Sequence, residues 1–154
     1  MGRELKVQLA GVLENQSLAR GIAAAYAAEL DPTVDELTEI KTAVSEAFSN
    51  AAIHGYGGGE NKDERESCVQ KPVFLEFSLI APQTIMIRVT DKGCGIEDIA
   101  RAMEPMFTTD SGQNRSGMGF TVMESFTDKL KVDSRPGEGT TVTMIKKLDT
   151  YYGI

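Results

Sequence analysis

A chain of 154 residues with 41% hydrophobic and 25% charged residues suits one compact domain with one core. Its net charge of −7 argues against a nucleic-acid surface, which needs a basic stripe, and means that any phosphate ligand must be held locally by backbone N–H groups, one or two basic side chains and a cation. No apolar run approaches the ~18 residues that span a membrane. The start Met1-Gly2-Arg3-Glu4-Leu5-Lys6 has no signal-peptide core. Cys68 and Cys94 are too few for a disulfide framework and have no metal-spaced partner, so the chain is expected in the cytoplasm.

In chain order, residues 5–13 alternate through Leu5, Val7 and Leu9 and read as a strand. Residues 15–30 read as a helix capped by Asn15 or Ser17, with Leu18, Ile22, Ala25 and Leu30 on its buried face and Arg20 off it. After the break at Asp31-Pro32, Thr33 and Glu36 form a capping box. The helix it opens runs to about residue 54, buries Leu37, Ile40, Val44, Phe48 and Ala51, and is ended by a left-handed Gly55. Residues 57–71 hold three glycines and seven charged residues, too little apolar area to fold alone, and read as a mobile loop. A hairpin follows (73–80 and 85–90), then a glycine-rich turn from Asp91, a short helix over 97–103, a polar loop over 104–115, a helix opened by Gly117 and a last hairpin around Pro136-Gly137. The order β-α-α-β-β-α-α-β-β predicts an α+β fold: a two-layer sandwich with helices on one face of a mixed, largely antiparallel sheet.

Four features carry chemistry. Glu46 and Asn50 stack one turn apart on a helix face away from the apolar stripe, and His54 continues the line. A carboxylate and an amide so placed can hold a hard cation or take a proton from a hydroxyl, although a merely solvated face has the same look. Asp91-Lys92-Gly93-Cys94-Gly95-Ile96 leaves a strand into Gly-x-Gly. It is a plain turn, or a carboxylate for an exocyclic amine with glycines that admit a flat base. Arg115-Ser116-Gly117-Met118-Gly119-Phe120 opens a helix, where N–H groups, the helix dipole and Arg115 favour an anion. Gly139-Thr140 starts the last strand and says little alone. Neither a P-loop nor Gly-x-Gly-x-x-Gly is present.

Taken in order, these four features resemble the boxes of the GHKL ATPase superfamily (gyrase, histidine kinases, MutL), whose fold is the Bergerat ATP-binding sandwich. The sequence is similar, more closely still, to the anti-sigma F factors of endospore-forming bacteria, a family of serine kinases. That similarity is carried by Asp31-Pro32, Asp35-Glu36-Leu37-Thr38-Glu39-Ile40-Lys41, Ser45-Glu46-Ala47, Asn50-Ala51, Ile53-His54-Gly55-Tyr56, Phe107-Thr108-Thr109 and Arg115 to Thr121, and runs from about Leu5 to Lys147. The resemblance implies a single ATP-binding domain over 1–154. Asn50 would bind Mg2+, Glu46 would be the general base, and Asp91, helped by Thr140, would read the adenine amine. Gly93, Gly95 and Ile96 would shape the base pocket. Residues 104–116, with Thr108 and Thr109, would be the ATP lid. Ser116, Gly117, Met118, Gly119 and Phe120 would meet the phosphates, with Arg115 a better γ-phosphate contact than the acidic Asp110. It further implies a sigma factor as partner, an anti-anti-sigma protein as the serine substrate, a homodimer, and a partner contact at Arg20, which is otherwise an ordinary exposed helix residue. A purely ATP-dependent sigma-binding module is the competing reading. A detached histidine-kinase domain or a clamp ATPase is disfavoured, since His54 is the only histidine and no transducer domain is expected.

Overall fold

The computed structural model describes residues 2–55, 71–104 and 118–149. The expected loop over 57–71, apart from Lys71, and the expected lid over 104–116, apart from Glu104, lie outside the described residues.

The elements follow the expected order. They are β1 (Leu5–Ala10), a tight turn at Leu13–Asn15, α1 (Gln16–Ala28), α2 (Val34–Asn50), β2 (Pro72–Ala81), β3 (Thr84–Asp91), α3 (Ile99–Ala102), α4 (Gly119–Phe126), β4 (Lys129–Arg135) and β5 (Gly139–Lys147). The five strands lie in the order β1-β2-β3-β5-β4. Every pairing among them is antiparallel, so the mixed element of the expected sheet is absent from the described residues. The reason is connectivity: β2–β3 and β4–β5 are hairpins, and the second docks β5, not β4, against β3. Alternation turns Val73, Leu75, Phe77, Ile85, Ile87, Val89, Val142 and Met144 into the core. On the opposite face Lys6, Glu76 and Arg88 form a cross-strand row, with N···O distances of 3.9 and 3.8 Å, which leaves that face solvated.

The Thr33 capping box forms as expected: Thr33 Oγ1 accepts from Glu36 N–H at 3.1 Å, and Glu36 Oε2 accepts from Thr33 N–H at 2.9 Å. Ile40, Val44 and Phe48 are buried on α2 and Ala51 just after it, and Leu37 packs against the core partly covered. Burying each large side chain contributes roughly 1.5–3 kcal/mol. The buried face of α1 agrees with expectation only in part: Ile22, and Leu30 just beyond the helix, pack against the core partly covered. Ala19, Ala23, Tyr26 and Ala27 are buried, whereas Leu18 is 51% exposed and Ala25 lies outside. An alanine row lets α1 lie close against α2, where Ala43 and Ala47 are also buried. Asn15 does not cap α1; its side-chain amide donates to Ala10 O at 2.9 Å.

Candidate functional site

The site begins where α2 stops being an ordinary α-helix. After Asn50 the chain widens into a π-type turn over Ala51–Gly55, a local irregularity that often marks functional positions. Ala51 and Ala52 are buried beneath it, while Glu46, Asn50 and His54 face an open cavity of about 650 Å³, within the range of ordinary ligand sites.

Gly55 was expected to be left-handed, but it is not among the positive-φ glycines. Its reason is contact. A Cβ there would lie 2.8 Å from the Asp91 carboxyl carbon, and a Cβ on Gly93 would lie 2.0 Å from Gly55 O. The two backbones touch, and Cys94 N–H donates to Gly55 O at 3.2 Å. Gly95 does need a left-handed backbone, with φ +76, and packs on Arg135 O, 2.0 Å from where a Cβ would sit. The turn after β3 is thus gripped between the end of α2 and the β4–β5 hairpin.

Asp91 is 5% exposed. Its Oδ1 accepts from Gly93 N–H at 2.9 Å. Burial pushes the carboxyl up from 3.8 to about 6, against the pull of N–H bonds from Gly93 and Thr140 and the charge of Lys92. The β3–β5 register sets Thr140 opposite Asp91. Ser134 ties this corner together. Its hydroxyl donates to Gly139 O at 2.9 Å, accepts from Ile96 N–H at 2.8 Å and meets the Thr140 hydroxyl at 2.8 Å. With the Ser134 proton on Gly139, Thr140 is the donor in that pair. No sequence pattern marks Ser134; only the pairing Ser134↔Thr140 reveals it.

The start of α4 adds another wall. A Cβ on Gly119 would lie 3.0 Å from Asn50 Nδ2 and 3.3 Å from Glu46 Oε2, so the second glycine motif rests on the amide and carboxylate of α2. Glu46, Asn50, His54, Asp91, Gly95, Ile96, Gly119, Phe120 and Thr140 therefore line one cavity. Gly93 abuts Gly55 and donates its N–H to Asp91, and Met118 is the residue that precedes α4. Arg20 is exposed on α1 and does not line the cavity. Thr108, Thr109, Arg115, Ser116 and Gly117 lie outside the described residues.

Sequence reading missed Gln16, Cys94, Glu97, Asp98 and Arg101, which also line the cavity. Gln16 Nε2 donates to Ser45 O at 3.1 Å and pins the start of α1 beside Glu46. Among the described residues no three His, Cys, Asp or Glu side chains gather as a metal cage. Asn50 and Glu46, side by side at Gly119, offer oxygens of the kind a hard cation takes, and such an ion would need further oxygens from a ligand or water. No helix among the described residues is long and apolar enough to cross a membrane.

Residues 10–146 match the family of histidine kinase-like ATPase domains. The anti-sigma F factor of Lysinibacillus sphaericus is 47% identical over 150 residues, covering 97% of this chain and 96% of that protein. The anti-sigma F factor of Bacillus subtilis (strain 168) is 43% identical over 148 residues, covering 96% and 94%. That of Thermoanaerobacter sp. (strain X514) is 50% identical over 133 residues, covering 86% and 85%. Two solved structures share the fold, each with a TM-score of 0.56 at 17% identity. The mycobacterial sensor histidine kinase MprB matches over 96% of this chain and 99% of its own. Full-length ShkA, in complex with AMPPNP, matches over 92% of this chain and 31% of its own.

Proposed function

The chain belongs to the histidine kinase-like ATPase family and, within it, to the anti-sigma F factors, and from that premise we propose that it is an ATP-dependent protein-serine kinase that holds a sigma factor inactive and phosphorylates a serine of an anti-anti-sigma protein. The observation that carries this reading is that Gly119, which meets Asn50 and Glu46, lines the same cavity as Asp91 and Thr140. A base reader and a phosphate end in one cleft fit a nucleotide.

The Asp91 carboxylate accepts a hydrogen bond from the adenine amine. Gly95 and Ile96 leave room for the ring, and the Thr140 hydroxyl, oriented by Ser134, lies beside it. Asn50 offers its amide oxygen to Mg2+. Mg2+ held there would neutralise charge on the phosphates. Glu46 takes the proton of the attacking serine hydroxyl as its oxygen bonds to the γ-phosphorus and the bond to the β–γ bridging oxygen breaks, leaving ADP and phosphoserine. Thr108, Thr109, Arg115, Ser116, Gly117, Met118 and Phe120 complete the phosphate side in this reading. The protein works in the cytoplasm as a homodimer, with Arg20 in the partner contact.

Incubation with Mg-ATP and the anti-anti-sigma protein, followed by detection of phosphoserine, tests the kinase. We expect Glu46→Ala to keep nucleotide affinity within about twofold while phosphoryl transfer falls by 10²-fold or more, the usual span for a general base. Undiminished transfer would remove Glu46 from its role. A wild type that binds ATP and sigma factor yet yields no phosphoserine would establish the non-catalytic binding module instead.

A further inference from the structure

We propose that Ser134, on β4, is a positioning residue that sets base choice: it takes up the Thr140 proton, so that Thr140 meets the base as a hydrogen-bond acceptor only, and the site selects a purine with an exocyclic amine over one with a carbonyl in that place. This rests on the nucleotide-binding reading of the cavity and deepens it. The first ground is placement. On the core side of the sheet, the cross-strand rows of β3, β5 and β4 are Ile87–Met144–Leu130, Val89–Val142–Val132 and Asp91–Thr140–Ser134. The first two rows are apolar and form or flank the core. The third is polar throughout, and it lies at the cavity, which Asp91 and Thr140 line together with Val89 and Val142 of the row before. Ser134 stands one strand further out and does not itself line the cavity, so its effect on a ligand passes through Thr140.

The second ground is the proton count. A serine hydroxyl has one proton and two lone pairs. Gly139 O, at 2.9 Å, can only accept, and Ile96 N–H, at 2.8 Å, can only donate. Those contacts use the proton and one lone pair, so the Thr140 hydroxyl, at 2.8 Å, gives its own proton to the other lone pair. Thr140 Oγ1 then has lone pairs to offer and no proton. The Asp91 carboxylate opposite it is also acceptor-only when charged, and already draws in the N–H groups of Gly93 and Thr140. Two acceptors side by side match an amine, which brings two N–H donors, and repel a carbonyl oxygen. Without the Ser134 hydroxyl, Thr140 can turn its proton into the cavity and donate to a carbonyl.

Calorimetric titration of the full chain with Mg-ATP and Mg-ITP, whose purines carry an amine or a carbonyl at position 6, tests this, with thermal melts to check folding. We expect the wild type to favour ATP by roughly 100-fold or more. Ser134→Ala should cut that preference by about tenfold, the worth of one hydrogen bond, chiefly by binding ITP better, and Ser134→Thr, which keeps a hydroxyl, should retain it. Thr140→Val removes the acceptor itself and should narrow the preference too, after which Ser134→Ala adds nothing. An unchanged preference in Ser134→Ala, or equal weakening of both nucleotides, would make Ser134 a purely structural residue and overturn the proposal, as would a Ser134→Ala effect that persists without the Thr140 hydroxyl. A wild type that binds ATP and ITP alike would overturn it and leave the nucleotide reading standing; one that binds neither would remove both.

Discussion

Asp91 combines burial with an acceptor role, and its titration follows from both. Its folded value near 6, above the ordinary 3.8, means that the unliganded protein holds this proton more tightly than the unfolded chain does. The favourable contribution is present below 3.8 and is lost as pH rises through about 6; by neutral pH the buried carboxylate costs about 3 kcal/mol. A donated amine hydrogen bond favours the charged form and so recovers part of that cost. Adenosine, which has no group titrating near pH 6, is therefore expected to bind more tightly as pH rises from 5 to 7 and then level off. Asp91→Asn should weaken binding by about tenfold and flatten the profile; an equally steep profile in that variant would remove Asp91 as the source. The position of Asp91 at a strand end leading into a glycine-rich turn was legible in the sequence because strand and turn patterns are local. The reason for Gly55 was not. Its constraint comes from Asp91 and Gly93, far along the chain, and a helix ending in glycine suggests a left-handed cap when no such neighbour is visible.

At the scale of elements, the capping box and the stripe of α2 could be read because both are local. The face of α1 could not: the leucine at 18 outweighs alanines in any hydrophobic pattern, yet close helix packing selects the alanines. The capping box also does something its motif does not announce. Besides accepting from Thr33, Glu36 accepts from Asp149 N–H through Oε1 at 2.7 Å, and Lys146 pairs with the neighbouring Glu39. Burial raises the Glu36 carboxyl, but the bonds from Asp149 and Thr33, with the charge of Lys146, outweigh it and the net shift is downward from 4.5. The stabilisation is present above 4.5 and is lost as pH falls through the lower folded value. Glu36→Gln should cost about 1–2 kcal/mol in urea unfolding at pH 7, and the gap to wild type should narrow in acid. A constant gap down to pH 3 would show that the charge of Glu36 is not what matters.

Across the whole molecule, α1 links two surfaces. Its first residue, Gln16, lines the cavity and holds α2 through Ser45 O; Arg20, one turn on, faces solvent. We expect Arg20→Glu to weaken sigma-factor binding in the presence of ATP by tenfold or more, the scale of an interfacial arginine, with nucleotide affinity unchanged. Normal binding of both sigma factor and anti-anti-sigma protein would remove Arg20 from the contact. The strand order carries a further consequence, for synthesis. Once both are made, α1 can pack on α2, but β1 has no strand beside it until β2 follows, and Thr140 arrives only on β5, the last strand among the described residues. The cavity takes walls from α2, the turn after β3, α4 and β5, so it comes into being only with the finished sheet. Nucleotide can then stabilise the completed protein on the ribosome's release but can do nothing for a partial chain, which makes occupancy a report of complete assembly.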